Sequence, residues 1–297
     1  MILRIFLGWI SALLLLTGCR SAEQPEQTTL WVTIAPLRSL VQAITGDDFT
    51  VEVLVPPSAS PETFEPTPRQ FGTLTRSPLI FGTGLIDFER QLLERLERPE
   101  RIVNLSEGID LIAGSCSHAH AGHDDAECTE CAEHANQAHG VDPHIWTSPR
   151  ELQRMAANAY RAIHTQWPDS VRYTANYEAL RNRIAEVDSL VSSRLSGMER
   201  RWFLIYHPAL TYYARAYGLR QVAIEDDGKE PSAKRLAALI DSARHDGVRT
   251  VFYQAQFPAS SVEVIAADIA GKAVRIDPLA EQVLDNILVI TDQLSKQ

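Results

Sequence analysis

The chain has no run of about 20 consecutive apolar residues, the length that a helix needs to cross a bilayer. Its longest apolar stretch, residues 5–16, is too short to span one comfortably. Only four of the 297 residues are cysteines, and three of them lie within residues 116–131, so no disulfide framework holds the fold.

Basic residues are also few: the chain has 28 Lys and Arg against 38 Asp and Glu, a net charge of −10. This balance argues against nucleic acids and against adhesion to anionic membranes, and it is compatible with cations.

The N-terminal segment has the pattern of an export signal. Arg4 precedes the apolar stretch, and Leu16-Thr17-Gly18-Cys19 resembles the end of a bacterial lipoprotein signal. We expect residues 1–18 to be a signal peptide, Cys19 to be lipidated, and residues 19–29 to form a flexible polar tether. The expected location is outside the cytoplasm, anchored to the bacterial envelope by lipid alone, in the periplasm or at the cell surface.

Residues 116–144 concentrate the side chains that bind transition metals, with six of the nine histidines and three of the four cysteines. Cys128 and Cys131 have the spacing of a zinc or redox pair, and their charged surroundings favour metal binding. The residues predicted as auxiliary metal ligands are His118, His120, His123, Cys128, Cys131, His134 and His139. The alternative is a solvated low-complexity loop without a specific site.

Elsewhere, short apolar runs alternate with stretches of helical periodicity. Strands are predicted at 30–35, 51–55, 79–82, 102–105, 202–206, 221–224, 250–253 and 273–276. Helices are predicted at 37–44, 68–75, 88–96, 149–167, 209–217, 232–245, 260–269 and 281–294. Residues 169–198 carry apolar side chains at three- and four-residue steps, which predicts one unusually long helix.

This repetition predicts an α/β fold with two lobes of βα repeats joined by one long rigid helix. The predicted N-terminal lobe covers residues 30–168 with an insertion at 113–141, the linking helix 169–198 and the C-terminal lobe 199–297. A ligand is expected in the cleft between the lobes, beyond the carboxyl ends of the strands.

Five motifs then follow one another: PETFEPTP at 61–68, DPHIW at 142–146, HPALTYYARAYGL at 207–219, EPSAK at 230–234 and DPL at 277–279. With the lipoprotein signal and the His-rich insertion, they resemble the zinc and manganese solute-binding proteins of ABC importers, family 9. The resemblance covers residues 30–297. It implies two α/β lobes bridged by a long helix, one metal ion between them, and an importer permease as partner. We expect the protein to be a monomer.

The resemblance also implies one metal ligand in each of four motifs. His144, His207 and Asp277 match three of them, and Glu62 stands where the family usually has histidine. A carboxylate can bind zinc at about the same distance as an imidazole. Two histidines with two carboxylates are a harder donor set that moves preference towards manganese or iron, although raw affinity still favours zinc.

Each ligand also has a structural alternative. Glu62 could point to solvent, leaving three ligands and an open position, and Asp277 could be a turn residue. His207 could be a capping or buried polar residue, and His144 could belong only to the loop.

The expected function is capture of one divalent cation, Zn²⁺ first and Mn²⁺ second, and its delivery to the permease. The alternatives are a manganese- or iron-specific relative, a surface adhesin or zinc buffer, and a zinc hydrolase, because three protein ligands plus water form a catalytic arrangement. No HExxH, GxSxG or phosphate-loop motif occurs, so we expect no enzyme activity. From the ordinary imidazole value we expect metal affinity to fall as the pH drops through about 6.5.

Overall fold

The structure is a computed structural model that describes residues 28–57, 59–114, 140–225, 229–257 and 259–296. The expected signal peptide, Cys19, nearly all of the tether and all the predicted auxiliary ligands of the insertion lie outside the described residues. Across those described ranges, no helix is both long and apolar enough to cross a bilayer.

Two parallel sheets form the framework. The first contains β1 (Thr29–Val32), β2 (Thr50–Val53), β3 (Ile80–Gly82) and β4 (Ile102–Asn104), and the second contains β5 (Trp202–Ile205), β6 (Arg220–Ala223), β7 (Thr250–Gln254) and β8 (Lys272–Ile276). Their strand orders are β2-β1-β3-β4 and β6-β5-β7-β8, which is the same topology twice. All eight predicted strands are confirmed, with ends shifted by at most three residues.

Helices connect the strands and cover the sheets. They are α1 (Ala35–Thr45), α2 (Pro68–Leu74), α3 (Asp87–Leu93), α4 (Pro149–Gln166), α5 (Val171–Leu195), α6 (Thr211–Ala216), α7 (Ala233–His245), α8 (Ala259–Asp268) and α9 (Val283–Leu294). Ser232 caps the N-terminus of α7, because its side chain accepts a hydrogen bond from Arg235 N. The α/β class and the two-lobe architecture are therefore confirmed, while the predicted lobe boundaries stay predictions.

The linking helix α5 has 25 residues, fewer than the 30 predicted. It ends at Leu195 because Arg201 Nη1 donates to the Leu195 carbonyl at 2.9 Å, which satisfies one of the carbonyls left free at a helix end. Gly197, two residues further on, also disfavours continuation of the helix.

A continuous apolar core joins the two lobes. Leu40 of α1, Ile184 and Val187 of α5, and Ile287 of α9 belong to one buried cluster. Helix α9, which follows the second sheet, packs against both α5 and α1. The lobes therefore share buried apolar surface, which stabilises one relative arrangement.

Two buried aromatic side chains also join the lobes by hydrogen bonds. Trp146 Nε1 donates to the Pro278 carbonyl at 2.9 Å, and the Tyr212 hydroxyl donates to the Asp142 carbonyl at 2.8 Å. Both bonds cross the cleft in which the ligand was expected. The cleft is consequently narrow and held closed on this side.

Candidate metal centre

Three of the four predicted ligands meet in the cleft. Glu62, His144 and His207 each offer one donor atom, and these atoms all lie within 4.8 Å of one another. His207 Nε2 is 3.0 Å from Glu62 Oε1 and 3.3 Å from His144 Nε2. This geometry places two imidazole nitrogens and a carboxylate oxygen around one point, as a divalent transition metal requires.

Each ligand comes from a different segment. Glu62 lies in the connection from β2 to α2, and His144 precedes the short 3-10 turn Ile145–Thr147 that leads into α4. His207 follows the carboxyl end of β5. The site thus draws on both lobes and lies at the strand ends where ligands bind in parallel α/β sheets.

A buried carboxylate stands behind each histidine. Asp142 Oδ1 is 2.9 Å from His144 Nδ1, and Glu225 Oε1 is 2.6 Å from His207 Nδ1. Because these bonds occupy Nδ1 of both rings, Nε2 is the atom that each ring presents to the cleft. This assignment is inferred from the hydrogen bonds, and it is the arrangement in which a carboxylate orients a metal-binding imidazole.

Sequence reasoning assigned no role to Asp142 or Glu225. Asp142 lies two residues before His144 in the same motif, so its proximity was readable from the sequence. Glu225 was not, because its position depends on strand pairing: Ile205 of β5 pairs with Ala223 of β6, and His207 and Glu225 each lie two residues further on.

The carboxylates and the histidines of the site shift one another's pKa values. Burial alone would lower the pKa of His207, but hydrogen bonds with Glu225 and then Glu62 outweigh it and raise the pKa to about 9. Burial alone would raise the pKa of Glu62, but its hydrogen bond with His207 and the charges of both histidines lower it. Burial likewise opposes ionisation of Asp142, and the charge and hydrogen bond of His144 reverse this and lower its pKa. In the ion-free protein His207 is therefore an imidazolium at neutral pH whose Nε2–H faces Glu62.

The cavity at this point is small. It has a volume of about 40 Å³ and is lined by the three ligands and by apolar side chains that include Ile86, Trp146 and Phe257. A buried water needs about 10–15 Å³ on the same measure. The cavity accordingly suits a bare ion with one or two waters and excludes an organic ligand of drug size.

Asp277, the predicted fourth ligand, lies outside the three-residue cluster. Its side chain is exposed, and its Oδ1 accepts a hydrogen bond from Leu279 N at 3.1 Å. Its neighbours Pro278 and Leu279 line the cavity. Asp277 as a ligand stays a prediction.

The insertion begins and ends beside the site. Ala113 pairs with Val141 in an isolated antiparallel bridge, and Asp142 N donates to the Ile112 carbonyl at 2.9 Å. The two ends of the insertion are therefore adjacent, and Val141, the end nearer to the site, lies three residues before His144. Metal binding by the insertion itself stays a prediction.

Known proteins resemble this chain over most of its length. The family model described as "Zinc-uptake complex component A periplasmic" matches residues 31–291. The chain is 28% identical over 246 residues to the high-affinity zinc uptake system protein ZnuA of Bacillus subtilis, covering 81% of this chain and 75% of that protein. It is 23% identical over 289 residues to the zinc-binding protein AdcA of Streptococcus pyogenes serotype M3, covering 94% of this chain. The chain spans about half the length of AdcA, 54%.

Solved structures show the same architecture. A crystal structure of ZnuA has a TM-score of 0.79 and 29% identity, covering 91% of this chain and 99% of that one. A ZnuA deletion mutant with zinc bound has a TM-score of 0.78 and 30% identity, covering 91% and 97%. Since the family model spans most of the sequence and both lobes, the chain belongs to the family of periplasmic zinc-uptake components.

Proposed function

We propose that this protein binds one Zn²⁺ through Glu62, His144 and His207 outside the cytoplasm and delivers it to the permease of an ABC importer. The observation that carries the proposal is the convergence of these three donors, from three separate segments, within 4.8 Å. Family membership and the names of the zinc-uptake and zinc-binding relatives support zinc as the ion. Attachment to the envelope through lipidated Cys19 is part of the same proposal.

The donor set and the cavity favour carriage of an ion over hydrolysis. Two imidazoles and a carboxylate also form the protein part of some catalytic zinc sites. Here, however, the cavity has a volume of about 40 Å³, which suits an ion with one or two waters better than a peptide or an ester. The buried hydrogen bonds that Trp146 and Tyr212 make across the cleft keep this space closed.

Replacing Glu62 with alanine should weaken zinc binding about 10- to 100-fold, because it removes the only carboxylate of the described three-donor cluster. The measurement is a competitive metal titration of residues 20–297, with bound metal determined by elemental analysis. Glu65→Ala is the matched control, since Glu65 is an exposed carboxylate in the same segment. We expect one tight Zn²⁺ per chain in the wild type and in the control.

Other results of that titration would change the proposal. Tight retention of Mn²⁺ against Zn²⁺ would make the protein a manganese carrier with the harder donor set. Equal zinc affinity in Glu62→Ala and in the wild type would remove Glu62 from the ligands. A wild type without any tight stoichiometric site would rule out a metal carrier.

Deleting residues 117–139 should leave the tight site intact while lowering the number of weakly bound zinc ions. The flanking residues 114 and 140 are already hydrogen-bonded to each other, so a short connection closes the gap without moving Asp142 or His144. A structural relative that is itself a deletion mutant has zinc bound. We propose that the insertion is a weaker collector that raises the local ion concentration.

Equilibrium dialysis of the wild type and the deletion variant, against chelators of increasing zinc affinity, distinguishes the tight site from the weak sites. Loss of all high-affinity binding on deletion would place the site in the insertion instead of the cleft. An unchanged number of weak ions would remove the collecting role.

A further inference from the structure

Gln254 lines the metal cavity and has a buried hydrogen-bond acceptor without a partner among the described residues. It is the last residue of β7, its side chain is only 3% exposed, and it lines the same cavity as Glu62 and His207. Its Nε2 donates to the His207 carbonyl at 2.9 Å. Its Oε1 is buried and accepts no hydrogen bond from the part of the chain that the structure describes. A buried acceptor without a partner is costly, so a partner supplied by the bound state is the physical expectation.

The orientation of this amide is fixed by the backbone. If the amide were flipped, Oε1 would face the His207 carbonyl, and two acceptors would oppose each other. The carbonyl end of Gln254 is therefore the end left free. Because β5 and β7 are neighbours at the point where the strand order of the second sheet reverses, both His207 and Gln254 stand at the usual ligand position of such a sheet.

The chemistry of the site identifies what this acceptor can bind. Three protein donors leave room for one more ligand around tetrahedral zinc. A neutral amide oxygen suits hard ions such as Ca²⁺ better than zinc, whereas a metal-bound water is a strongly polarised donor. The cavity has the volume for an ion and a water.

We propose that Gln254 accepts a hydrogen bond from a water molecule that completes the coordination of the bound ion. Gln254 is then a positioning residue. Its Oε1 accepts from the water, and its Nε2 donates to the backbone carbonyl of the ligand His207. This inference rests on the proposed function, since it needs an ion held by Glu62, His144 and His207.

The test uses mature protein loaded with Co²⁺, whose visible spectrum reports its coordination, and thiocyanate as a probe that replaces coordinated water. Wild type should show a saturable spectral change with thiocyanate. Gln254→Met has a side chain of about the same length but lacks the acceptor. The coordinated water, which competes with thiocyanate for the same position on the ion, then loses its hydrogen bond. We expect thiocyanate to bind it about tenfold more tightly and zinc affinity to fall about tenfold, the scale of a lost outer hydrogen bond at a metal site.

Gln293→Met is the matched control. It also removes a buried amide oxygen that has no partner among the described residues, but Gln293 belongs to α9 and does not line the cavity. It should leave both zinc affinity and the thiocyanate response unchanged. A role of Gln254 in stability alone would shift the melting temperature without changing thiocyanate affinity relative to the wild type, and that result would overturn the proposal.

The wild type and Asp277→Ala together also test the proposal, should Gln254→Met fail to fold. If thiocyanate changes the Co²⁺ spectrum only after Asp277→Ala is introduced, the fourth ligand is Asp277 and the water is excluded. No response in either protein would exclude a replaceable water as well. If the wild type bound neither Zn²⁺ nor Co²⁺ tightly, the proposed function itself would fail, which is a distinct result.

Discussion

Replacing His207 with alanine should lower zinc affinity by at least about 100-fold. This loss exceeds the roughly 10- to 100-fold effect of removing a residue that is hydrogen-bonded to a metal ligand. His207 lies at the centre of the cluster, because its Nε2 is within 3.3 Å of both other donors. Without its ring, the described three-donor cluster keeps only Glu62 and His144. Competition with a chelator of known affinity measures the loss, and His245→Ala, an exposed histidine at the end of α7, is the control.

This substitution must be separated from unfolding. Glu225 is buried and hydrogen-bonded to His207 Nδ1, so alanine leaves a buried carboxylate without this partner, a change that destabilises a fold. His207→Gln keeps an amide donor for Glu225 and lacks the imidazole. Circular dichroism should show both variants folded, the glutamine variant melting closer to the wild type. Retention of wild-type zinc affinity by His207→Gln would remove His207 from the ligands.

Lowering the pH from 9 to 6 should weaken zinc affinity about 1,000-fold. The pKa of His207 in the ion-free protein is raised to about 9, so below pH 9 the metal must displace a proton from the ring. A single displaced proton gives about a tenfold loss for each pH unit below that pKa and no loss above it. The carboxylates of Glu225 and Glu62 stabilise the imidazolium, so the loss of affinity should begin at a higher pH than the ordinary imidazole value near 6.5 implies.

Calorimetry in two buffers of different ionisation enthalpy counts the displaced proton. We expect about one proton released per zinc at pH 7.5 in the wild type. Glu225→Gln removes the hydrogen bond that raises the His207 pKa most, so its proton release at pH 7.5 should fall and its affinity should change less between pH 7 and pH 9. A wild-type affinity that is flat over pH 7–9 contradicts the assignment.

The regular elements were predictable because their signals are local. Apolar runs of four to six residues marked all eight strands, and their alternation with helical stretches was sufficient for parallel sheets. The errors in the predicted elements lay at their ends, because contacts with side chains distant in sequence help to set where an element stops. Helix α5 ends at Leu195 because Arg201 reaches its last turn, a contact that no periodicity reveals.

Site residues within a sequence motif were predictable. Residues whose position depends on strand pairing or on a turn were less so. His144 and His207 were found by motif, and both lie in the cluster. Glu225 was missed because its contact with His207 depends on which strand lies beside β5. Asp277 lies at a strand end as expected, but its side chain is exposed and lies outside the three-donor cluster.

The hydrogen bonds of Trp146 and Tyr212 across the cleft determine how an ion is exchanged. Separating the lobes would break both buried bonds and expose shared apolar core. Of the three donors, His207 is 12% exposed, whereas Glu62 is 44% exposed and lies in a connection between elements. If Glu62 ligates as proposed, we expect the dissociation rate of the ion to depend on movement of this one carboxylate, so substitutions at Glu62 should change the residence time without altering the contact between the lobes.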